Sequence, residues 1–177
     1  MQGKVLVAFA TRYGATAEIA DRIGGVLRRE GLEADVVPAG RVKGLAGYRA
    51  VVLGSAVYIG RWRKSAARLL KKHEDELAGM ELWLFSSGPT GEGDPEKLTG
   101  GWSFPKKLKP VAERLRPHDT ALFHGAIDSK KLNFLHRWMI GKVEAPAGDY
   151  RDWDRIESWA VQIAEELRGG QGQTAGK

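Results

Sequence analysis

Short apolar runs alternate with helix-patterned segments along the whole chain, and this alternation limits the possible folds more than any other feature. The first run, Lys4–Ala10, is almost continuously apolar, which is typical of a strand covered on both faces. The segment Ala15–Glu30 carries apolar residues at helical spacing, and Gly31 stands where helices commonly end. Because parallel strands need a helix-length connection, the pattern predicts a parallel sheet with helices on both faces.

Four further strands and three further helices complete the predicted α/β domain. We expect the strands at Glu33–Val37, Arg49–Leu53, Glu81–Phe85 and Thr120–Ile127, and the helices at Lys64–Leu77, at Pro110–Arg116 and after an Asp152 cap. The 177 residues suit one domain, which we expect to span 1–168. The Gly- and Gln-rich segment 169–177 is expected to be a disordered tail.

Composition excludes several kinds of chemistry. The chain has no cysteine, so disulfides, thiolate metal sites and cysteine nucleophiles are excluded. The four histidines do not occur at metal-ligand spacing, and we expect no metal site. The N-terminus lacks a signal-peptide pattern, and no apolar stretch is long enough to cross a bilayer. We therefore expect a cytoplasmic protein, or one held peripherally on the inner face of the cell membrane.

The net charge of +6 has two interpretations. A solvated basic surface that aids solubility is the more common reason for a moderate charge, and the alternative is an anionic partner: a lipid surface, nucleic acid or an acidic protein. No nucleic-acid recognition motif accompanies the charge, so nucleic-acid binding is not expected. The position of the basic residues in the fold decides whether the charge serves solubility or the binding of an anionic lipid or protein.

The loop after the first strand has the composition of a phosphate site. Ligands of open α/β sheets bind where strands end, and this loop reads Thr11, Arg12, Tyr13, Gly14, Ala15, Thr16. Its hydroxyls and free N–H groups lie at the positive end of the following helix, where a phosphate dianion is favoured. The alternative is a simple strand-to-helix turn with a threonine cap. The loop has neither the Walker lysine nor the three-glycine dinucleotide spacing.

Two further loops after predicted strands could hold a planar ring. The second contains Gly54 and then Ser55, Ala56, Val57, Tyr58, Ile59, Gly60, Arg61 and Trp62. A ring could stack on Tyr58 or Trp62, although either aromatic could instead belong to the core. The third contains Ser86, Ser87, Gly88, Pro89, Thr90, Gly91 and, after two more residues, Asp94. Its small residues could line the polar edge of a ring, and the competing interpretation is a disordered glycine-rich loop.

Taken together, the three loops resemble those of the flavodoxin family over about Lys4–Arg168. The resemblance implies a five-stranded parallel sheet of order 2-1-3-4-5 and bound flavin mononucleotide (FMN). It implies that Thr11–Thr16 holds the phosphate and that Ser55–Gly60 and Ser86–Asp94 hold the ring. Tyr13 departs from the family pattern, which has a further threonine there, and so removes one short phosphate contact.

One branch of the family is more similar, the flavodoxin-like menaquinone-dependent protoporphyrinogen oxidases. The similarity lies in the motifs Thr11–Thr16 and Gly54–Gly60, in the segment Gly125–Ile140, and in the pair Asp152-Trp153. It implies an FMN-dependent oxidoreductase that acts on a porphyrinogen with a quinone acceptor, in haem biosynthesis. The alternatives are a flavodoxin-type electron carrier without its own substrate, and a partner-binding module without flavin. Carriers of that kind are usually acidic, whereas this chain is basic.

Basic residues flank the predicted flavin site and bear on its redox chemistry. Arg12, Arg61, Arg63 and Lys64 are expected to stabilise an anionic reduced flavin and so to raise its potential above that of an acidic flavodoxin. No general acid or base is assigned, and Tyr58 is only a candidate for assisting proton transfer. The basic, apolar segment Lys130–Lys142 suits either a bilayer interface or an irregular helix whose apolar residues cover the sheet or the flavin ring.

Overall fold

The computed structural model describes residues 3–128, 130–131 and 147–172. The strands are β1 (Lys4–Ala10), β2 (Ala34–Pro38), β3 (Tyr48–Tyr58), β4 (Arg61–Trp62), β5 (Glu81–Ser87), β6 (Asp119–Phe123), β7 (Ala126–Ile127) and β8 (Gly148–Asp149). The α-helices are α1 (Ala15–Arg29), α2 (Lys64–Lys72), α3 (Glu74–Leu77), α4 (Pro95–Leu98), α5 (Lys109–Leu115) and α6 (Trp153–Gly172). A 3₁₀ turn spans Ala39–Arg41. Within these residues no helix has the length and apolar character needed to cross a membrane.

Five parallel strands form the central sheet in the order β2-β1-β3-β5-β6. The order 2-1-3-4-5 that the resemblance implied is therefore confirmed, because β5 and β6 are the fourth and fifth parallel strands. Two short antiparallel pairs are added at the carboxyl edge: β4 folds back on the end of β3, and β7 pairs with β8.

Side chains of the sheet pack into two apolar layers, one on each face. Val5 and Val7 of β1 join the layer formed with α1 and α6, and Leu6 and Ala8 join the layer formed with α2 and α5. Successive strand residues point to opposite faces, so a strand that is covered on both sides needs apolar residues at every position. This is the physical reason for the nearly continuous apolar run at Lys4–Ala10.

The third strand extends well beyond the predicted end at Leu53. Gly54 lies inside β3, which continues to Tyr58, so the glycine does not end the strand. A Cβ atom built on Gly54 would lie 1.9 Å from Cζ of Phe85, because the Phe85 ring occupies the space above the glycine. The predicted end of the strand at Leu53 was wrong. Gly54 is needed so that the Phe85 ring can pack above it, whereas a glycine after an apolar run more often indicates a turn. The strand at Glu81–Phe85 likewise continues to Ser87.

The predicted fifth strand, Thr120–Ile127, is two separate strands. Strand β6 ends at Phe123, and β7 then pairs with β8 rather than with the central sheet. Between them, Gly125 donates its N–H to the Pro89 carbonyl at 2.9 Å. A Cβ on Gly125 would lie 3.1 Å from the Gly88 carbonyl oxygen. The chain leaves the sheet because it packs against the loop that follows β5.

Two helices also differ from their predicted bounds. The predicted helix Lys64–Leu77 is broken at His73, whose buried ring lies 2.6 Å from a Glu76 carboxylate oxygen. Helix α6 begins after Asp152, which accepts a hydrogen bond from the Arg155 N–H at 3.0 Å, as the predicted cap requires. The helix continues through Gly172, past the expected start of the tail at Gly169, and 173–177 lies outside the described residues.

We expect Gly54→Ala to destabilise the protein by about 3 kcal/mol, because the added methyl group overpacks the core against Phe85. Gly25→Ala is the matched control, since a Cβ at Gly25 in α1 meets nothing within 4 Å. The control should stabilise the helix by about 0.5–1 kcal/mol. Urea denaturation of both variants measures the difference. Equal stability of the two variants would contradict the packing role of Gly54.

Candidate functional site

The strand register brings the three predicted loops to one edge of the sheet. Ala10 at the end of β1 pairs with Ser55 of β3, and Ser55 pairs with Ser86 of β5. A Cβ built on Gly88 would lie 3.1 Å from Cβ of Val57, so the second and third loops are in contact. The loops that follow β1, β3 and β5 therefore share one surface at the carboxyl ends of the central strands.

The first loop presents an uncapped helix N-terminus. Gly14 is the N-cap residue of α1, adopts a left-handed conformation with φ of 99°, and provides no side-chain cap. The Thr11 hydroxyl oxygen accepts a hydrogen bond from the Gly14 N–H at 3.0 Å, so the threonine closes the loop and does not cap the helix. The first N–H groups of a helix have no partner within the helix. This end of α1 therefore offers donors and a positive dipole to an anion.

The remaining side chains of the first loop differ in exposure. Thr16 is buried at 1% exposure, so its hydroxyl is not at the surface. Arg12 is exposed, and its guanidinium carbon lies 5.5 Å from the centroid of the half-buried Tyr13 ring. This cation–π contact keeps a positive charge beside the loop.

The second loop is a hairpin whose tip is strained. Ala56, Val57 and Tyr58 belong to the end of β3, and Ile59 and Gly60 form the turn to β4. Ile59 has φ of 48° and is 74% exposed, and Gly60 has φ of 65°. A β-branched residue in the left-handed region costs about 1–2 kcal/mol, and such strain is typical of functional positions.

The hydroxyl groups of Ser55 and Ser86 are engaged within the protein. Ser55 is fully buried; its hydroxyl oxygen accepts from the Arg63 N–H, and the hydroxyl donates to the Ala56 carbonyl, both at 2.9 Å. The Ser86 hydroxyl accepts from the Trp62 indole N–H at 2.9 Å. Trp62 is buried and makes an edge contact with Phe104 at a centroid distance of 5.0 Å. Trp62 is thus a core residue, and Tyr58 is the half-buried aromatic residue of this loop.

The third loop is folded, and His124 holds it in place. The buried His124 ring has Nδ1 3.2 Å from the Pro89 carbonyl oxygen and Nε2 2.7 Å from the Gly93 carbonyl oxygen. Gly91 and Gly93 have φ of 127° and 108°, values that favour glycine. Asp94 ends the loop as the cap of α4, because its carboxylate accepts from the Glu96 N–H at 3.0 Å.

One polar atom of the third loop is left without a partner. The Thr90 hydroxyl oxygen is buried and has no hydrogen bond to any of the described residues. Buried hydroxyl groups are nearly always paired, and an orphaned one needs an explanation. Its position in a loop that borders the second loop makes it a candidate contact for a ligand.

An arginine network connects the first loop to β8 and α6. Arg151 donates to both carboxylate oxygens of Asp149, with Nε–Oδ1 and Nη2–Oδ2 distances of 2.8 and 2.6 Å. Its Nη1 also donates to the Glu18 carboxylate at 2.7 Å. The Arg151 hydrogen bonds hold the pKa of Asp149 below its usual value, and the hydrogen bonds to Asp149 raise the pKa of Arg151.

His124 and Arg151 contribute to this edge without a signal in the sequence. His124 has no metal-ligand spacing, and Arg151 belongs to no motif. The partners of both residues lie far away in sequence: Pro89 for His124, and Glu18 for Arg151. Of the segment Lys130–Lys142, only Lys130 and Lys131 belong to the described residues, and both are exposed. The expected amphipathic character of 132–142 therefore lies outside the described residues.

Comparison with known proteins identifies relatives over nearly the whole chain. The family described as Flavodoxin domain matches residues 6–154. Protoporphyrinogen IX dehydrogenase (quinone) of Escherichia coli is 27% identical over 172 residues, which cover 91% of this chain and 94% of the relative.

Solved structures of flavodoxins share the fold at lower identity. Flavodoxin 2 of Bacillus cereus superposes with a TM-score of 0.61 at 21% identity, covering 92% of this chain and 99% of the other. A flavodoxin from the domain Archaea gives a TM-score of 0.56 at 15% identity, covering 93% and 99%. At these identities the likeness concerns the fold.

Proposed function

This chain belongs to the flavodoxin domain family and binds FMN, and we propose that it is an oxidoreductase that oxidises a porphyrinogen and passes the electrons to a quinone. The observation that carries the proposal is the similarity to protoporphyrinogen IX dehydrogenase (quinone), which spans 91% of the chain. The corresponding role is a step of haem biosynthesis.

The first loop, Thr11–Thr16, is proposed to hold the FMN phosphate. The support is the N-terminus of α1, where the N-cap residue Gly14 provides no side-chain cap and the first backbone N–H groups have no partner within the helix. Exposed Arg12 adds a positive charge. Tyr13 lacks the short hydroxyl of a threonine, so the backbone donors carry more of the phosphate binding.

The second and third loops are proposed to hold the flavin ring between them. The residues of the two loops that we assign to the cofactor are Ser55, Ala56, Val57, Tyr58, Ile59, Gly60, Ser86, Ser87, Gly88, Pro89, Thr90, Gly91 and Asp94. Ser55 and Ser86 are fully buried in paired strands and their hydroxyls bond within the protein, so we propose that they position the loops that follow them. The orphaned Thr90 hydroxyl supports the assignment, since a ring edge with polar atoms would supply the missing partner. The residues present therefore fit a flavin.

The protein contributes positive charge around the proposed flavin site. Bound FMN supplies the capacity to accept two electrons from a substrate. Arg12, Arg61 and Lys64 are exposed around the site, and Arg63 is half-buried. These cations favour added negative charge at the site, and they also suit a substrate that carries carboxylates. We assign no general acid or base among the side chains, and Tyr58 remains a candidate for proton transfer.

The proposed activity is tested by an anaerobic reaction in two stages. FMN-loaded protein is mixed with protoporphyrinogen IX, and the flavin absorbance is followed; a menaquinone analogue is then added. We expect bleaching in the first stage and full recovery in the second, because the protein mediates transfer between the two. Flavin that porphyrinogen does not reduce, in a protein that binds FMN stoichiometrically, would contradict the proposed substrate.

The alternative is a flavodoxin-type electron carrier without its own substrate. The net charge of +6 and the basic residues around the site favour the oxidoreductase, since carriers that dock on basic reductases are usually acidic. A carrier would show no reduction by porphyrinogen and would exchange electrons with a reductase instead. A module without flavin would show no flavin uptake at all.

Thr90→Val tests the ring-binding assignment. The substitution removes a hydroxyl that has no partner among the described residues, so we expect the flavin-free protein to be as stable as the wild type or slightly more stable. FMN affinity should fall by about fivefold to tenfold, the value of one hydrogen bond. Fluorescence titration and thermal melting measure the two quantities. Unchanged FMN affinity would remove Thr90 from the site.

We further propose that the protein is cytoplasmic and that it contacts the inner face of the cell membrane through Lys130–Lys142. The exposed Lys130 and Lys131 support this, because anionic lipid attracts basic residues at a surface. In a liposome flotation assay we expect binding to anionic vesicles at low salt and little binding to neutral vesicles. Lys130→Glu combined with Lys131→Glu should reduce the binding. Equal recovery with both vesicle types would contradict the proposal.

A further inference from the structure

Arg151 ties the first turn of α1 to the segment that precedes α6. Its side chain is only 7% exposed, and Nη1 donates both to the Ala15 carbonyl at 3.1 Å and to the Glu18 carboxylate at 2.7 Å. On the other side it binds Asp149 with two parallel hydrogen bonds. The guanidinium also lies 4.6 Å from the Trp153 ring centroid. Such a bidentate, stacked arginine has one fixed orientation.

The acidic partners of Arg151 lie close to the proposed phosphate site. Glu18 belongs to the first turn of α1, the same turn that offers its N–H groups to an anion. A carboxylate there repels a phosphate dianion unless a cation offsets it. Arg151 supplies that cation from a largely water-free position between the Glu18 and Asp149 carboxylates, where charge interactions are screened less than at the surface. Its single positive charge offsets one of the two negative charges, so its removal would leave both carboxylates uncompensated.

We propose that Arg151 is a positioning residue for the cofactor phosphate. It fixes the first turn of α1 through the Ala15 carbonyl and lowers the combined negative charge of Glu18 and Asp149, so that FMN binds more tightly relative to the unphosphorylated riboflavin. This inference rests on the assignment of the phosphate to Thr11–Thr16. It assigns no contact between Arg151 and the substrate.

The opposite end of α1 provides a matched control. Arg168 of α6 donates to the Glu30 carbonyl at 2.9 Å and to the Glu30 carboxylate at 3.0 Å. Like Arg151, it joins a backbone carbonyl and a carboxylate near one end of α1. Arg168 lies at the C-terminal end of that helix, far from the loop Thr11–Thr16. The Arg168 side chain is more exposed, at 45% against 7% for Arg151, and its removal reports on the loss of such an arginine away from the loop.

The experiment compares the affinities of the flavin-free protein for FMN and for riboflavin, by fluorescence titration at low salt. In Arg151→Gln we expect FMN affinity to fall about tenfold and riboflavin affinity to change less than about twofold, since only FMN carries the phosphate. Arg168→Gln should leave the FMN-to-riboflavin ratio unchanged. Thermal melting of each variant reports separately on stability. If Arg151→Gln weakens both ligands by the same factor, or neither, the proposal is overturned.

A second substitution keeps the test decisive if Arg151→Gln does not fold. Glu18→Gln leaves Arg151 with one carboxylate fewer, so FMN should bind as tightly as to the wild type, or more tightly. Weaker FMN binding with unchanged riboflavin binding in Glu18→Gln would overturn the charge-offset argument. Wild-type protein that takes up no FMN would instead contradict the proposed function. Wild-type protein that binds both flavins equally would overturn the phosphate preference alone.

Discussion

Parallel pairing of β1, β3 and β5 is the constraint on which the rest of the molecule depends. Each parallel connection has to return over a face of the sheet, so the chain needs helices on both sides and strands that are apolar at every position. The same geometry brings the ends of these three strands to one edge. The arrangement that buries both faces of the sheet therefore also brings the three loops together at one edge.

The order of elements could be predicted because it depends on local patterns. The apolar run Lys4–Ala10 predicts a strand without knowledge of the rest of the chain. The helical spacing in Ala15–Glu30 predicts a helix in the same way. Gly54 could not be interpreted in this way, since its reason is the Phe85 ring of the neighbouring strand. The same holds for Gly125, which packs against Gly88 and thereby divides the expected fifth strand. Residues whose role depends on a distant partner carry no local signal.

The location of the candidate site could be predicted from the sequence, whereas the roles of its individual side chains could not. The positions of the three loops followed from strand ends, and the register places them together. Composition did not indicate which hydroxyls are available: those of Ser55 and Ser86 bond within the protein, whereas that of Thr90 has no partner among the described residues. Trp62 illustrates the same limit, because an aromatic residue in a loop could stack on a ligand or join the core, and here it joins the core.

The hydrogen bonds of His124 have a consequence for the order of events during synthesis. The loop that follows β5 is anchored by a residue 35 positions beyond Pro89 and 31 beyond Gly93. These contacts form only after the intervening chain has been synthesised and has folded back. Closing such a segment reduces the conformational entropy of the chain before the contact stabilises it. A nascent chain that has emerged as far as β5 still lacks this anchor. If this loop holds the flavin ring, as proposed, the ring side of the site is complete only after β6 has been synthesised and has paired with β5.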